Sequence, residues 1–285
     1  MIHMVSLGGG VQSSTLLEMA EAGLITPKPD VAVFADPEAE SELTYQHIEY
    51  LRRAVSIPII RINPRGSLER KLLDGRNSSG QRFVTIPFFT KAPGDKREGQ
   101  VRRQCTKEFK TEPIEMQARR LIGCRPGQSV RNYLRLGRRA PVPVQLTAWI
   151  GFSMDEAARV SPSKLPYIEK RYPLLEMNMT RDDCEAWLVA NGKPVPPKSA
   201  CIFCPYTDDL RWLDMKENRP GEFARAVAVD HALREVAATD RFEKSAYLHR
   251  SCVPLDDVAF DPTPRRKRGT QLDMFNNVCG ADCAT

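Results

Sequence analysis

Two groups of residues in this chain of 285 could do chemistry. The first is "GGGVQSST", residues 8–15, where three glycines run into hydroxyl side chains. Backbone N–H groups at a helix N-terminus lack intrahelical partners and carry partial positive charge. A glycine turn lets a phosphate approach them closely. Gly8, Gly9 and Gly10 supply such a turn, and Ser13, Ser14 and Thr15 supply hydroxyls. No Lys follows the last glycine, as a Walker A loop requires, and the glycine spacing is not that of a dinucleotide fingerprint. The second group is made of cysteines. Cys201 and Cys204 form a CxxC closed by Pro205, and Cys105 lies about a hundred residues upstream between "RRQ" and "TKEFK". Flanking cations favour the thiolate, the form that ligates or attacks. Cys279 and Cys283 follow in "CGADC". Cys124, Cys184 and Cys252 stand alone and read as ordinary thiols.

The first half of the chain alternates in period. "IHMVSL", "VAVFAD" (31–36) and "IPIIRI" (57–62) read as buried strands. Helices are expected at 13–24, at 40–55 and from 67. Strands alternating with helices across short turns predict a doubly wound parallel α/β sheet. Further helices are expected at 106–122, 180–192, 208–217 and 220–238, and a strand at 144–152. Thr180 and Asp183 have capping-box spacing. The expected organisation is a nucleotide-binding domain over 1–175, with inserts at 74–104 and 124–143, and a smaller helical part over 176–285 that carries the CxxC and an irregular basic tail.

"GGGVQS" resembles the PP-loop of the ATP pyrophosphatase superfamily, usually Ser-Gly-Gly-x-Asp-Ser. Gly8 stands where that Ser would be, and Gln12 where the Asp would be. "VFADPEAESELTYQHIEYL" is similar to the second-strand segment of the phosphoadenosine phosphosulfate (PAPS) reductase branch, with Asp36, Glu40, Thr44 and Tyr45 at matching positions. "RRQCTKEFKTEP", "WIGFSMDEAARV", "YPLLEM" and "PPKSACIFCPY" extend the resemblance in the same order. It implies an adenine nucleotide alpha hydrolase-like fold. It also implies ATP and Mg²⁺ at Ser6, Gly8, Gly9, Gly10, Gln12, Ser13, Ser14, Asp36, Gly151 and Arg159, with Gln12, Ser13 and Cys105 in catalytic roles. From the residues themselves, Asp36 either faces a ligand at the sheet edge or caps a helix. Arg159 pairs either with a phosphate or with a local acid.

Three assignments of the cysteines compete. Cys105, Cys201 and Cys204 hold a [4Fe–4S] cluster with one open iron, as in the iron–sulfur members of the PP-loop group that thiolate tRNA or phosphorothioate DNA. Alternatively Cys201, Cys204, Cys279 and Cys283 close a tetrahedral Zn²⁺ site. In the third assignment Cys201 and Cys204 are a redox dithiol. The resemblance favours an ATP-dependent sulfurtransferase that adenylates an acceptor, releases pyrophosphate and inserts sulfur. The alternatives are a PAPS or adenosine phosphosulfate reductase and a non-catalytic nucleotide-binding subunit.

Seven arginines and no acid lie between Arg119 and Arg139, on a chain of formal charge +6. Arg119, Arg120, Arg131, Arg135, Arg138 and Arg139 are expected either to track a nucleic-acid backbone or to form a solvated face. "PRRKR" at 264–268 adds a basic run. A nucleic-acid acceptor, a cysteine desulfurase or other sulfur donor, and a second copy of the chain are the partners this chemistry allows. No apolar run approaches the roughly 20 residues that span a bilayer, and Met1 opens on a strand-like run. The expectation is therefore a cytoplasmic protein with reduced thiols.

Overall fold

The structure, a computed structural model, describes residues 1–74, 86–91, 99–100, 103–239 and 245–263. "PRRKR", Cys279 and Cys283 lie outside the described residues, as does most of the expected insert at 74–104. The chain begins with β1 (Ile2–Ser6), α1 (Val11–Glu21), β2 (Val31–Ala35), α2 (Glu42–Ala54), β3 (Ile59–Ile62) and α3 (Leu68–Asp74). Two short strands follow, β4 (Phe89–Lys91) and β5 (Gly99–Gln100), then α4 (Glu112–Leu121) and α5 (Val130–Tyr133). After them come β6 (Leu146–Ile150), β7 (Ile168–Arg171), α6 (Pro173–Glu176) and α7 (Arg181–Ala190). The chain continues through α8 (Asp209–Asn218), α9 (Pro220–Thr239) and β8 (Ser245–Tyr247).

Five strands form one all-parallel sheet in the order β3-β2-β1-β6-β7. This is the doubly wound α/β sheet that the alternating periods predict. Side chains along a strand point alternately to opposite faces. Val5, Ala32, Phe34 and Trp149 accordingly pack on one face with α1, α2 and α7. Met4, Val33, Ala35, Ala148 and Ile150 pack on the other with Ile114, Ala118 and Val130 of α4 and α5. Both faces are covered, so β2 and β6 are buried along their whole length.

A third core lies apart from those two. It joins Leu68 and Leu72 of α3 to Phe109, Phe203, Trp212 of α8, and Ala226, Val229 and Leu233 of α9. Cys105 and Cys201 pack against it. There β4 pairs antiparallel with both β5 and β8, a small sheet that the sequence reading does not contain. Three-residue strands carry too little alternation to stand out in a sequence. Cys184 and Leu188 of α7, from the C-terminal side of residue 176, pack with Leu16 and Leu17 in the first core.

Strand order reverses its direction of travel between β1 and β6, and ligands of doubly wound folds bind at such a switch point. The glycine turn follows β1, and Gly151 follows β6. A Cβ at Gly151 would lie 2.9 Å from both N and Cα of Ser13, so the missing side chain lets β6 end against the first turn of α1. Gly151→Ala should cost roughly 1–3 kcal/mol through overpacking against backbone. Urea denaturation measures it, and an unchanged midpoint would show slack in this contact.

Candidate functional site

The site begins with an unusual helix end. Gly10 caps α1 with extended backbone, no side chain among the described residues caps the first turn, and no acid lies in that turn. Val11, Gln12 and Ser13 are nonetheless buried. A buried helix terminus whose N–H groups lack capping partners calls for a ligand. Gly9 has φ +75°, and a Cβ there would stand 3.1 Å from Thr44 Cγ2 and 3.3 Å from Ile48 Cδ1. Glycine is required by both the conformation and the space. Beside the turn, the hydroxyls of Ser6 and Thr44 are buried and have no hydrogen-bond partner among the described residues.

The other expected hydroxyls serve the protein. Ser13 Oγ donates to the Gly10 carbonyl and accepts from the Gly8 N–H, which shapes the turn. Ser14 is fully buried, with its N–H on the Gly10 carbonyl and its Oγ 2.9 Å from His47 Nε2. Thr15 Oγ1 donates to the Val11 carbonyl. Burial holds His47 largely neutral, with its pKa pushed down to about 4.

Asp36, at the end of β2, is engaged through both oxygens. Oδ2 accepts from Arg61 Nε at 2.8 Å, and Oδ1 accepts from the Tyr45 hydroxyl and the Glu38 N–H. It therefore braces the loop after β2 rather than capping α2, whose N-cap is Ser41. Burial foremost, aided by the Asp36 charge, raises the Tyr45 pKa and keeps that phenol protonated.

On the far side of the turn, Gln12 is the centre of a polar cluster. Its Nε2 donates to Glu156 Oε2 at 3.3 Å, and its Oε1 accepts from Arg181 Nη1 at 3.3 Å. Arg159 pairs with Glu156 at 2.5 Å and stacks 4.5 Å over the Phe152 ring. Glu156 is thus the local acid expected beside Arg159. Burial raises the Glu156 pKa against the lowering effect of Arg159. Arg181 does not stand out in the sequence reading. The available signal is its position, because a cation at the first residue of α7 opposes the helix dipole and is there for another reason.

Cys105, Cys201 and Cys204 line one cavity together with Arg103, Lys110, Pro37 and Tyr206. All three are half-buried. Among the described residues no three His, Cys, Asp or Glu side chains close around a single metal ion. Cys124, Cys184 and Cys252 are buried elsewhere. Burial pushes the Cys184 thiol up to about 12, as befits an inert core residue.

What brings the cysteines together is a buried ion pair. Lys110 Nζ lies 2.7 Å from Glu40 Oε1, with both side chains almost wholly excluded from solvent. Ser199 Oγ donates to the other Glu40 oxygen at 3.0 Å. The Ile202 N–H donates to the Ala39 carbonyl, and Glu40 bridges antiparallel to Cys201. Three segments are thereby fixed at the C-terminal edge of the sheet: the loop after β2, the helical turn after Cys105, and the CxxC strand.

The arginine-rich insert lies elsewhere. A crossover helix runs antiparallel to the strands it connects, so the segment between α4 and β6 sits at the N-terminal edge of the sheet. The Gln145 carbonyl there accepts from the N–H of Ile2. Arg120, Arg135, Arg138 and Arg139 are exposed and Arg119 is half-buried. Arg131 donates to the carbonyls of Gly137 and Ala140 and so braces the insert itself.

No family model matches the chain, and no curated protein matches it. Among solved structures it is similar to a phosphoadenylyl-sulfate (PAPS) reductase from Candida auris in a phosphate complex. The identity is 14%, over 69% of this chain and 75% of that one, with a TM-score of 0.40. At those values the likeness assigns no activity. Among the described residues no helix is long and apolar enough to cross a membrane.

Lys110→Met should destabilise the protein by roughly 3–5 kcal/mol, because it strands a buried carboxylate. Adding Glu40→Leu should recover much of that loss, and chemical denaturation of the single and double variants checks it. His47 supplies a pH test. Its folded pKa lies below the ordinary 6.5, so its contribution is intact above pH 6.5 and is lost as the pH falls toward 4. The loss should approach about 3 kcal/mol. His47→Gln should flatten the stability profile in that window.

Proposed function

We propose that this chain is a nucleotide-dependent enzyme of the ATP pyrophosphatase type that activates an acceptor and transfers sulfur to it. One observation carries the reading: Cys105, Cys201 and Cys204 surround a cavity on the same sheet edge as the uncapped glycine turn. A phosphate site and a set of thiols at one edge suit chemistry that uses both.

In this reading the N–H groups of the turn hold the nucleotide phosphates. An acceptor oxygen attacks the α-phosphorus, the bond to pyrophosphate breaks, and the acceptor leaves the first step as its adenylate. Preorganised N–H donors stabilise charge on the departing pyrophosphate. A persulfide on Cys105 then displaces AMP. Cys201 or Cys204 breaks the resulting S–S bond, forming a protein disulfide that a cellular thiol reduces. The second form of this chemistry is a [4Fe–4S] cluster at the same three thiols, which line one cavity but, as placed, do not close around a single metal ion. Such a cluster, held by Cys105, Cys201 and Cys204, would supply an open iron that binds sulfide. The acceptor is one that reaches the C-terminal edge of the sheet. The arginine-rich insert faces the other edge, so its position lends a nucleic-acid acceptor no support.

The test is anaerobic purification with iron and acid-labile sulfide analysis, followed by assays for pyrophosphate release from ATP and sulfite release from PAPS. Pyrophosphate release that depends on an acceptor supports the proposal. Sulfite release without pyrophosphate release would replace it with sulfonucleotide reduction. Cys105→Ala should abolish sulfur transfer while leaving pyrophosphate release within a few-fold. If it also bleaches a brown holoprotein, Cys105 is a cluster ligand; full colour makes it the persulfide carrier.

A further inference from the structure

The carboxylates around the glycine turn do not suit a magnesium ion. Position 12 carries an amide, Gln12, where the resemblance leads one to expect an acid. The carboxylates nearby already serve protein donors. Asp36 accepts from Arg61, Tyr45 and the Glu38 N–H. Glu156 accepts from Arg159 and Gln12. Asp155 accepts from the Ser153 hydroxyl and the Arg181 N–H, and Glu40 is held by Lys110 and Ser199. A hard divalent cation seeks unshared carboxylate oxygens. Of these oxygens Asp155 Oδ1 alone accepts no hydrogen bond among the described residues, so a cation here would find a single unshared protein oxygen.

Two arginines stand at the same place, each in an ion pair with a glutamate. Arg181 donates through Nη1 to Gln12 and through Nε to Glu185, leaving Nη2 without a partner among the described residues. Its side chain is about one-third exposed (37%), at the rim of the uncapped first turn of α1. Arg159 stands beside it on Glu156. Gln12 thus holds Arg181 next to the glycine turn through a neutral contact, while the ion pair of Arg181 is with the half-exposed Glu185 on the other side. The buried, unpartnered hydroxyls of Ser6 and Thr44 are an independent sign that a polar ligand completes this end of the helix.

We infer that this chain neutralises its nucleotide phosphates with arginine, Arg181 foremost, in place of a divalent cation. The inference rests on the phosphate-binding reading above and specifies how that site balances charge. A guanidinium is permanently charged and presents planar paired donors that match phosphate oxygens. The binding step therefore needs no metal.

Isothermal titration of the purified full chain with ATP, once in excess Mg²⁺ and once in excess EDTA, tests this. The expected result is a Kd that changes less than threefold between the two conditions. Arg181→Gln should weaken binding at least tenfold in both, with unchanged circular dichroism. Gln12→Asp should make binding dependent on Mg²⁺, since it places an acid at the expected metal-ligand position and gives Arg181 a second carboxylate besides Glu185. Loss of wild-type binding in EDTA with tight binding in Mg²⁺ would overturn the arginine inference and leave the phosphate site standing. No binding in either condition would overturn the phosphate reading and the inference together. Unchanged affinity in a folded Arg181→Gln would remove Arg181 from the role.

Discussion

Glu40 and Lys110 are both cut off from water, and opposite charges in that setting have to remain together. Separating them would leave an isolated ion in a low-dielectric interior, which costs several kcal/mol. The pair therefore acts as a clamp whose grip is set by desolvation rather than by the strength of one contact. It joins a loop that belongs to the parallel sheet to two segments that carry cysteines. Remove the clamp, and nothing in the parallel sheet itself would hold Cys105 beside the CxxC. The third core then consolidates the arrangement by packing Phe109, Ile202 and Phe203 behind the thiols.

The second constraint is the burial of an uncapped helix end. Most helices answer their first N–H groups with a Ser, Asp or Thr side chain, as α7 does with Thr180 and Asp183. In α1 the corresponding position is Gly10, and the nearest hydroxyl, on Ser13, is spent within the turn. Gly9 and Gly151 keep the space around that end narrow on the α2 and β6 sides. The protein gives up capping stability at one helix and keeps a fixed set of donors in return. That exchange is what a phosphate site requires.

Charge around the turn is arranged by pairing rather than by count. Acids are present, yet each is engaged by an arginine, a lysine, a tyrosine or a backbone N–H. The formal charge of +6 says nothing of this. Nor does the density of arginines between Arg119 and Arg139, since that insert lies at the opposite edge of the sheet. Arg131, half-buried in it, works as a brace on backbone carbonyls.

The parallel sheet was legible in the sequence because both of its faces are covered. Strands such as "VAVFA" must then be apolar throughout, while the intervening helices show their own longer period. The glycine turn was legible for a similar reason, since few local structures need Gly8, Gly9 and Gly10 in a row at the end of a strand. The CxxC announced itself by spacing. What the sequence could not determine was everything that depends on contacts between distant segments. The meeting of Cys105 with Cys201 and Cys204 depends on a lysine and a glutamate whose burial no local pattern reveals. The pairing of β4 with β8 joins three-residue strands far apart in the chain. The commitment of Asp36 to Arg61, of Ser14 to His47, and of Gln12 to Glu156 and Arg181 follows from packing alone. A side chain's type fixes which bonds it can make, and only the tertiary structure decides which partner comes within reach.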